Sequence, residues 1–209
     1  MIEVPIIENY TTLPEIITDH QRVIIADNLT AGGTTPSKGV MAESTLYVHD
    51  HDGSITFIIK PRQGDYTYTD TELKIMEADL LEAQQLGADE VIFAATTANH
   101  EIDAEAMANL IAAAGGMTIT LAAIWASVST PDFQTFSQLA DSGVEHVLFD
   151  LDTKDQDDWA GFISKASAQQ LIPVPVSKDS KKTERVYSTA SFKFRCFRLT
   201  LFQRFFCRK

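Results

Sequence analysis

The sequence predicts an α/β protein: a TIM-barrel-like (β/α) barrel, incomplete at about seven strands, with an open doubly wound parallel sheet as the alternative. Three observations carry this. Short apolar runs alternate with capped, amphipathic segments through residues 1–176, the pattern of a parallel sheet covered by helices. The stretch from Leu86 to Phe93 is echoed in pattern 56 positions later, from Ser142 to Phe149. Two strand-plus-helix units of about 28 residues fit that interval. Finally, the apolar run at residues 23–26 breaks into small, turn-forming residues, and α/β proteins place ligands at such strand ends.

Taken in order, residues 2–7 read as a first strand, weakened by Pro5 and so suited to a strand start or an edge. A short helix is expected near Pro14. The second strand follows, then a possible helix over 37–46. His49-Asp50-His51-Asp52-Gly53 is a turn by composition. Residues 54–59 form a third strand. Thr69 and Glu72 make a capping box, after which Leu73, Met76, Leu80 and Ala83 keep helical spacing until Gly87. Residues 91–94 are the next strand, and Asp103 caps a helix buried through Met107, Leu110, Ile111 and Ala114. A strand at 118–121 is followed by a helix opened by Thr130-Pro131 and closed near Gly143. The echoed strand near Phe149, a helix around 159–170 and a strand at 171–176 complete the pattern.

A chain of 209 residues that is 44% hydrophobic buries one substantial core. Its net charge of −12 argues against nucleic acid and acidic membranes as partners. The charge is uneven. Residues 181–209 carry nine Lys or Arg and one acid, whereas the rest carries 8 basic and 28 acidic residues. Both cysteines, Cys196 and Cys207, lie in that basic end, with six of the twelve phenylalanines. The division expected is a barrel domain over 1–178 and a basic, Phe-rich tail over 179–209, foreign to the barrel through a shifted reading frame or a replaced end. Within the tail, Phe192, Phe194 and Cys196 alternate with Lys193 and Arg195, so a strand filling the open edge is the competing expectation. An unclosed barrel would favour homo-oligomers. Absence of cysteine from the body fits a reducing cytoplasm, and no apolar run is long enough to span a membrane.

Two stretches carry the candidate site. Asn28, Gly32, Gly33, Thr34 and Thr35 follow the second strand; Lys60, Arg62 and Asp65 follow the third. Glycines permit close backbone approach, while hydroxyls, amides and cations suit a small anionic ligand. The competing reading makes the first a structural turn and the second an internal ion pair. His49 and His51 are a conceivable metal pair without a third ligand. Asp150 with Asp152 suit a hard cation, or serve as helix-cap carboxylates. No catalytic triad, GxGxxG or P-loop is present.

Asn28-Leu29-Thr30-Ala31-Gly32-Gly33-Thr34-Thr35-Pro36-Ser37 and Lys60-Pro61-Arg62-Gln63-Gly64-Asp65-Tyr66-Thr67-Tyr68 resemble two motifs of the CutC copper homeostasis family, in order and separation. The resemblance covers roughly residues 1–176. It implies a TIM-barrel-like fold, a cytoplasmic protein and an association with copper as ligand. It also marks departures. Where the family has a Glu and a Cys in the second strand, this chain resembles it with Ile24 and Ala26. Lys60 stands for an arginine. The family's His-Arg-Ala-Phe-Asp falls on Ala122-Ala123-Ile124-Trp125-Ala126, and its Ser-Gly-Gly on Asp150-Leu151-Asp152. A further glycine loop is missing around Ser177 to Ser180. The expectations are therefore a copper homeostasis protein with at most weak copper binding, an enzyme acting on a small anionic or phosphorylated ligand, or a non-catalytic remnant.

Overall fold

The computed structural model describes residues 2–8, 10–122, 133–150, 163–164, 166–176 and 197–201. Eight parallel strands follow one another in chain order around a closed barrel. They are β1 (Ile2–Glu8), β2 (Arg22–Ala26), β3 (Ser54–Ile58), β4 (Glu90–Phe93), β5 (Thr118–Leu121), β6 (His146–Asp150), β7 (Ile172–Val176) and β8 (Phe197–Leu201). The described helices are α1 (Leu13–Ile16), α2 (Lys38–Asp50), α3 (Asp70–Gln85), α4 (Ala104–Ala113) and α5 (Phe133–Asp141).

The barrel class is as the alternation predicts, and the doubly wound alternative falls because β8 pairs with both β1 and β7. The seven expected strands are all present, and β8 is an eighth. It comes from the basic segment and lies beside β1 from Ile2↔Phe197 to Ile6↔Leu201. The strand therefore lies just beyond the Phe192–Cys196 alternation that hinted at it.

Strands buried on both faces need near-continuous apolar sequence. Val23, Ile24, Ile25 and Ala26 supply it in β2, and Ile55, Phe57 and Ile58 in β3. Alternation then sorts these side chains. Even-numbered residues such as Val4, Ile24, Ile92, Leu148 and Val174 line the barrel interior. Odd-numbered Val23, Phe57, Val91 and Val147 are buried on the opposite, helix-facing side.

Helix α2 is longer than expected, because Met41, Ser44, Thr45 and Val48 keep one buried stripe running past residue 46. His49 and Asp50 thus belong to the helix, and the turn begins at His51. Helix α3 has the capping box read from sequence: Thr69 Oγ1 accepts from the Glu72 amide and the Glu72 carboxylate accepts from the Thr69 amide. The Thr130-Pro131 cap and most of the helix expected over 159–170 lie outside the described residues.

Candidate functional site

The chain turns sharply as it leaves β2. Asp27 and Thr34 form an isolated antiparallel bridge, with the Thr34 amide donating to Asp27 O at 2.7 Å and the Asp27 amide to Thr34 O at 2.9 Å. The loop between them needs three left-handed residues: Asn28 (φ 49°), Gly32 (φ 94°) and Gly33 (φ 78°). Glycine takes that conformation without strain. A Cβ at Gly33 would meet Ile58 and Ala26 at ordinary contact distance, so the backbone conformation and not space selects glycine there. Asn28 Nδ2 donates to Thr34 Oγ1 at 3.3 Å.

Thr35 joins this loop to the next. Its amide donates to Lys60 O at 2.9 Å, and Thr35 Oγ1 accepts from the Lys60 amide at 2.9 Å. Lys60 itself is only 3% exposed. Its Nζ donates to Gly64 O at 2.8 Å and stands 4.2 Å over the Tyr66 ring. Burial, and next the neighbouring Arg62 charge, push its pKa down, against the opposing pull of Asp65.

Arg62 takes the structural alternative. Nε donates to Glu72 Oε1, Nη1 to Gln63 O and Asp65 O, and Nη2 to Asp65 Oδ1 and Thr67 O. A guanidinium has five N–H donors, and all are engaged within the protein. Hydrogen bonding to Arg62 holds the Asp65 carboxyl below its usual range. The Thr69 amide, and next Arg62, do the same for Glu72. Arg62 thus ties the β3 loop to the capping box of α3. Arg62→Ala is expected to lower the unfolding free energy by about 2 kcal/mol, a figure discounted from several charge-assisted hydrogen bonds because the side chain is partly exposed. Urea denaturation measures it. Unchanged stability with lost ligand binding would return Arg62 to a ligand role.

Asn28, Thr34, Thr35, Lys60 and Arg62 line one cleft of about 540 Å³. It lies by the carboxyl ends of β2 and β3, and its walls are the facing parts of α2 and α3. Gly32, Gly33 and Asp65 are not in its lining: the glycines shape the loop, and Asp65 anchors Arg62. The α3 wall brings Ile75, Ala78, Asp79 and Glu82, none of which the sequence reading named. Lys38 Nζ pairs with Glu82 Oε1 at 2.7 Å across the top of the two helices. Burial raises the Asp79 pKa, partly offset by a hydrogen bond from Thr35.

The conceivable metal sets do not assemble. His49 Nε2 meets Asp89 Oδ2 at 3.0 Å, while His51 Nδ1 donates to Tyr47 O at 2.8 Å and its ring lies 4.3 Å from the Tyr47 ring. Asp150 ends β6, and Asp152 lies outside the described residues. Among the described residues no group of three or more His, Cys, Asp or Glu is placed to hold a metal ion.

A second polar group sits at the other end of the barrel interior. His146 Nδ1 is 3.0 Å from Glu90 Oε1, Thr120 Oγ1 donates to the same oxygen, and Thr56 Oγ1 donates to Glu90 Oε2 at 3.2 Å. Burial pushes the Glu90 carboxyl up, but His146, Thr120 and Arg22 outweigh it and hold its pKa below the usual range. Each of Glu90 and His146 opens its strand, so the pair lies at the amino-terminal end, where a barrel's residues act in stability. The echo read from sequence aligns these two positions.

A closed ring of eight parallel strands, with loops joined into a cleft beside the carboxyl ends of two of them, defines a TIM-barrel-like α/β protein. The profile of the CutC family matches residues 1–173, and the chain belongs to that family. A CutC family protein of Enterococcus faecalis is 38% identical over 143 residues, 68% of this chain and 68% of its own length. One of Bacteroides thetaiotaomicron is 33% identical over 132 residues, 61% of this chain and 50% of its own. The crystal structure of a candidate copper homeostasis protein CutC from Streptococcus agalactiae superposes with a TM-score of 0.82 at 25% identity, over 97% of this chain and 100% of that one. A D-psicose 3-epimerase, at TM-score 0.61 and 12% identity, shares the fold.

Proposed function

We propose that this protein acts in cytoplasmic copper homeostasis and binds copper at most weakly. The family match over residues 1–173 supports the first part. The chemistry of the donors supports the second. Cu(I) prefers thiolate and thioether ligands. The cleft offers hydroxyls, amides, carboxylates and one thioether, Met41, which is itself buried against the core. Such a set does not fit a resident copper ion. Inside the barrel, Ile24, Ala26 and Ala122 are apolar and buried, so those strand positions supply no donor either. Cys196 and Cys207 lie outside the described residues.

The alternative, an enzyme taking a small anionic or phosphorylated ligand, draws less support, because Arg62 has no donor left for an anion and Lys60 is held by Gly64 and Tyr66. Among the described residues no helix is long and apolar enough to cross a membrane. The test is growth in graded copper of cells lacking this protein, with and without the wild-type chain restored. Altered copper tolerance that the chain restores is the expected result. Equal tolerance and equal cellular copper in the parent, the deletion and the restored strains would overturn the proposal.

A further inference from the structure

The geometry points to a small organic cation, an amine or guanidine on a short apolar chain, as the ligand of the cleft between α2 and α3, with Asp79 as its anchor. This rests on the reading of that cleft as the protein's ligand site. The charges lining the cleft decide its sign. Lys38 and Glu82 satisfy one another at 2.7 Å. Arg62 is fully engaged with Glu72, Asp65 and three carbonyls, and Lys60 turns to Gly64 O and Tyr66. Arg62 thus has no donor left for an anion, and Lys60 Nζ is directed at Gly64 O and the Tyr66 ring.

Asp79 is different. It is half-buried in the α3 wall, it takes a hydrogen bond from the Thr35 side chain, and no lysine, arginine or histidine among the described residues pairs with it. A half-buried carboxylate without a counter-ion costs stability unless something outside the chain supplies the charge. Ile75, Pro36 and Pro61 line the same cleft with apolar surface, of which Ile75 remains 46% exposed. A cation with a few methylenes complements both features: its charged end meets Asp79 and its chain covers Ile75. Because burial raises the Asp79 pKa, the carboxylate must lose its proton to bind. Affinity should therefore rise with pH through that raised pKa and level off above it. The other charged groups facing the cleft are Lys38, Glu82, Lys60 and Arg62.

Thermal unfolding of the full chain with agmatine, 1,4-diaminobutane or inorganic phosphate, at matched ionic strength, tests the idea. The expected result is a rise in melting temperature with the two amines and none with phosphate, by mass action on the folded state. Asp79→Asn should weaken amine binding at least tenfold, while raising the ligand-free melting temperature at neutral pH by removing the unpaired charge. A rise with phosphate alone would overturn the cationic assignment and leave the cleft as an anion site. An amine effect undiminished in Asp79→Asn would overturn Asp79 as anchor. No shift with any probe would overturn both the assignment and the reading of the cleft as a ligand site.

Discussion

His146→Ala is expected to lower the unfolding free energy by about 3 kcal/mol, because removing one partner of a buried pair leaves the other charge uncompensated. The imidazole is the first hydrogen-bonding and charge partner of Glu90, which sits inside the barrel beneath Ile24, Ile92 and Leu148. Thr56 and Thr120 would still donate to the carboxylate, which keeps the loss near the lower end for such pairs. Glu90→Gln should cost less, since the amide still accepts hydrogen bonds from Thr56 and Thr120. Combining the two changes should be less damaging than their sum. The pH dependence has a definite sign. The folded Glu90 pKa is depressed, so its contribution is present above the ordinary glutamate value and is lost as pH falls through the folded one. Wild type should therefore lose more stability than His146→Ala on going from pH 6 to pH 3. Chemical denaturation across that range measures both. A variant as stable as wild type at pH 6 would show that the pair contributes nothing net.

Removing residues 179–209 is expected to abolish cooperative unfolding altogether. Without β8, residues Ile2 to Ile6 of β1 lose their parallel partner and β7 loses the pairing at Val176. Both become open edges, and the barrel interior lined by Val4, Ile24 and Val174 opens on one side. The loss is comparable with the whole stability of a domain, about 5–15 kcal/mol. The truncated chain should then show a broad thermal transition and self-association in sedimentation. A compact, monomeric fragment with a sharp transition would show instead that the basic segment is an appendage and that the fold is complete without it.

Most of the barrel was legible because parallel strands must be apolar on both faces. The run in β2 and the apolar residues of β3 and β4, bounded by turn residues, are the length of a strand and short for a helix. The capping box at Thr69 and Glu72 and the stop at Gly87 fixed α3 for the same local reasons. The eighth strand was harder, since the basic segment alternates phenylalanine with arginine and lysine over several registers, and only pairing with β1 selects residues 197–201.

The site was half legible. Asn28, Thr34, Thr35, Lys60 and Arg62 share a cleft because consecutive strands bring their carboxyl-end loops side by side. Their electrostatic roles were hidden. Nothing local says that Arg62 reaches forward ten residues to Glu72, which consumes the donor that an anion would need. Asp79 is hidden because a carboxylate on a helix reads as solvated, and only its place in the cleft beside Thr35 half-buries it. The Glu90–His146 pair does have a signal in the sequence. The two residues occupy equivalent positions of the echo, and alternate strands of a barrel share an interior layer.

Titration of Cu(I) against a colorimetric chelator, with the full chain carrying Cys196→Ser and Cys207→Ser, addresses the weak-copper reading most directly. The expected result is that the chelator keeps the ion at equal concentrations, since carboxylates, hydroxyls and one buried thioether cannot compete for it. Transfer of one equivalent of Cu(I) to the protein would contradict that reading and place a tight copper site in the body of the barrel.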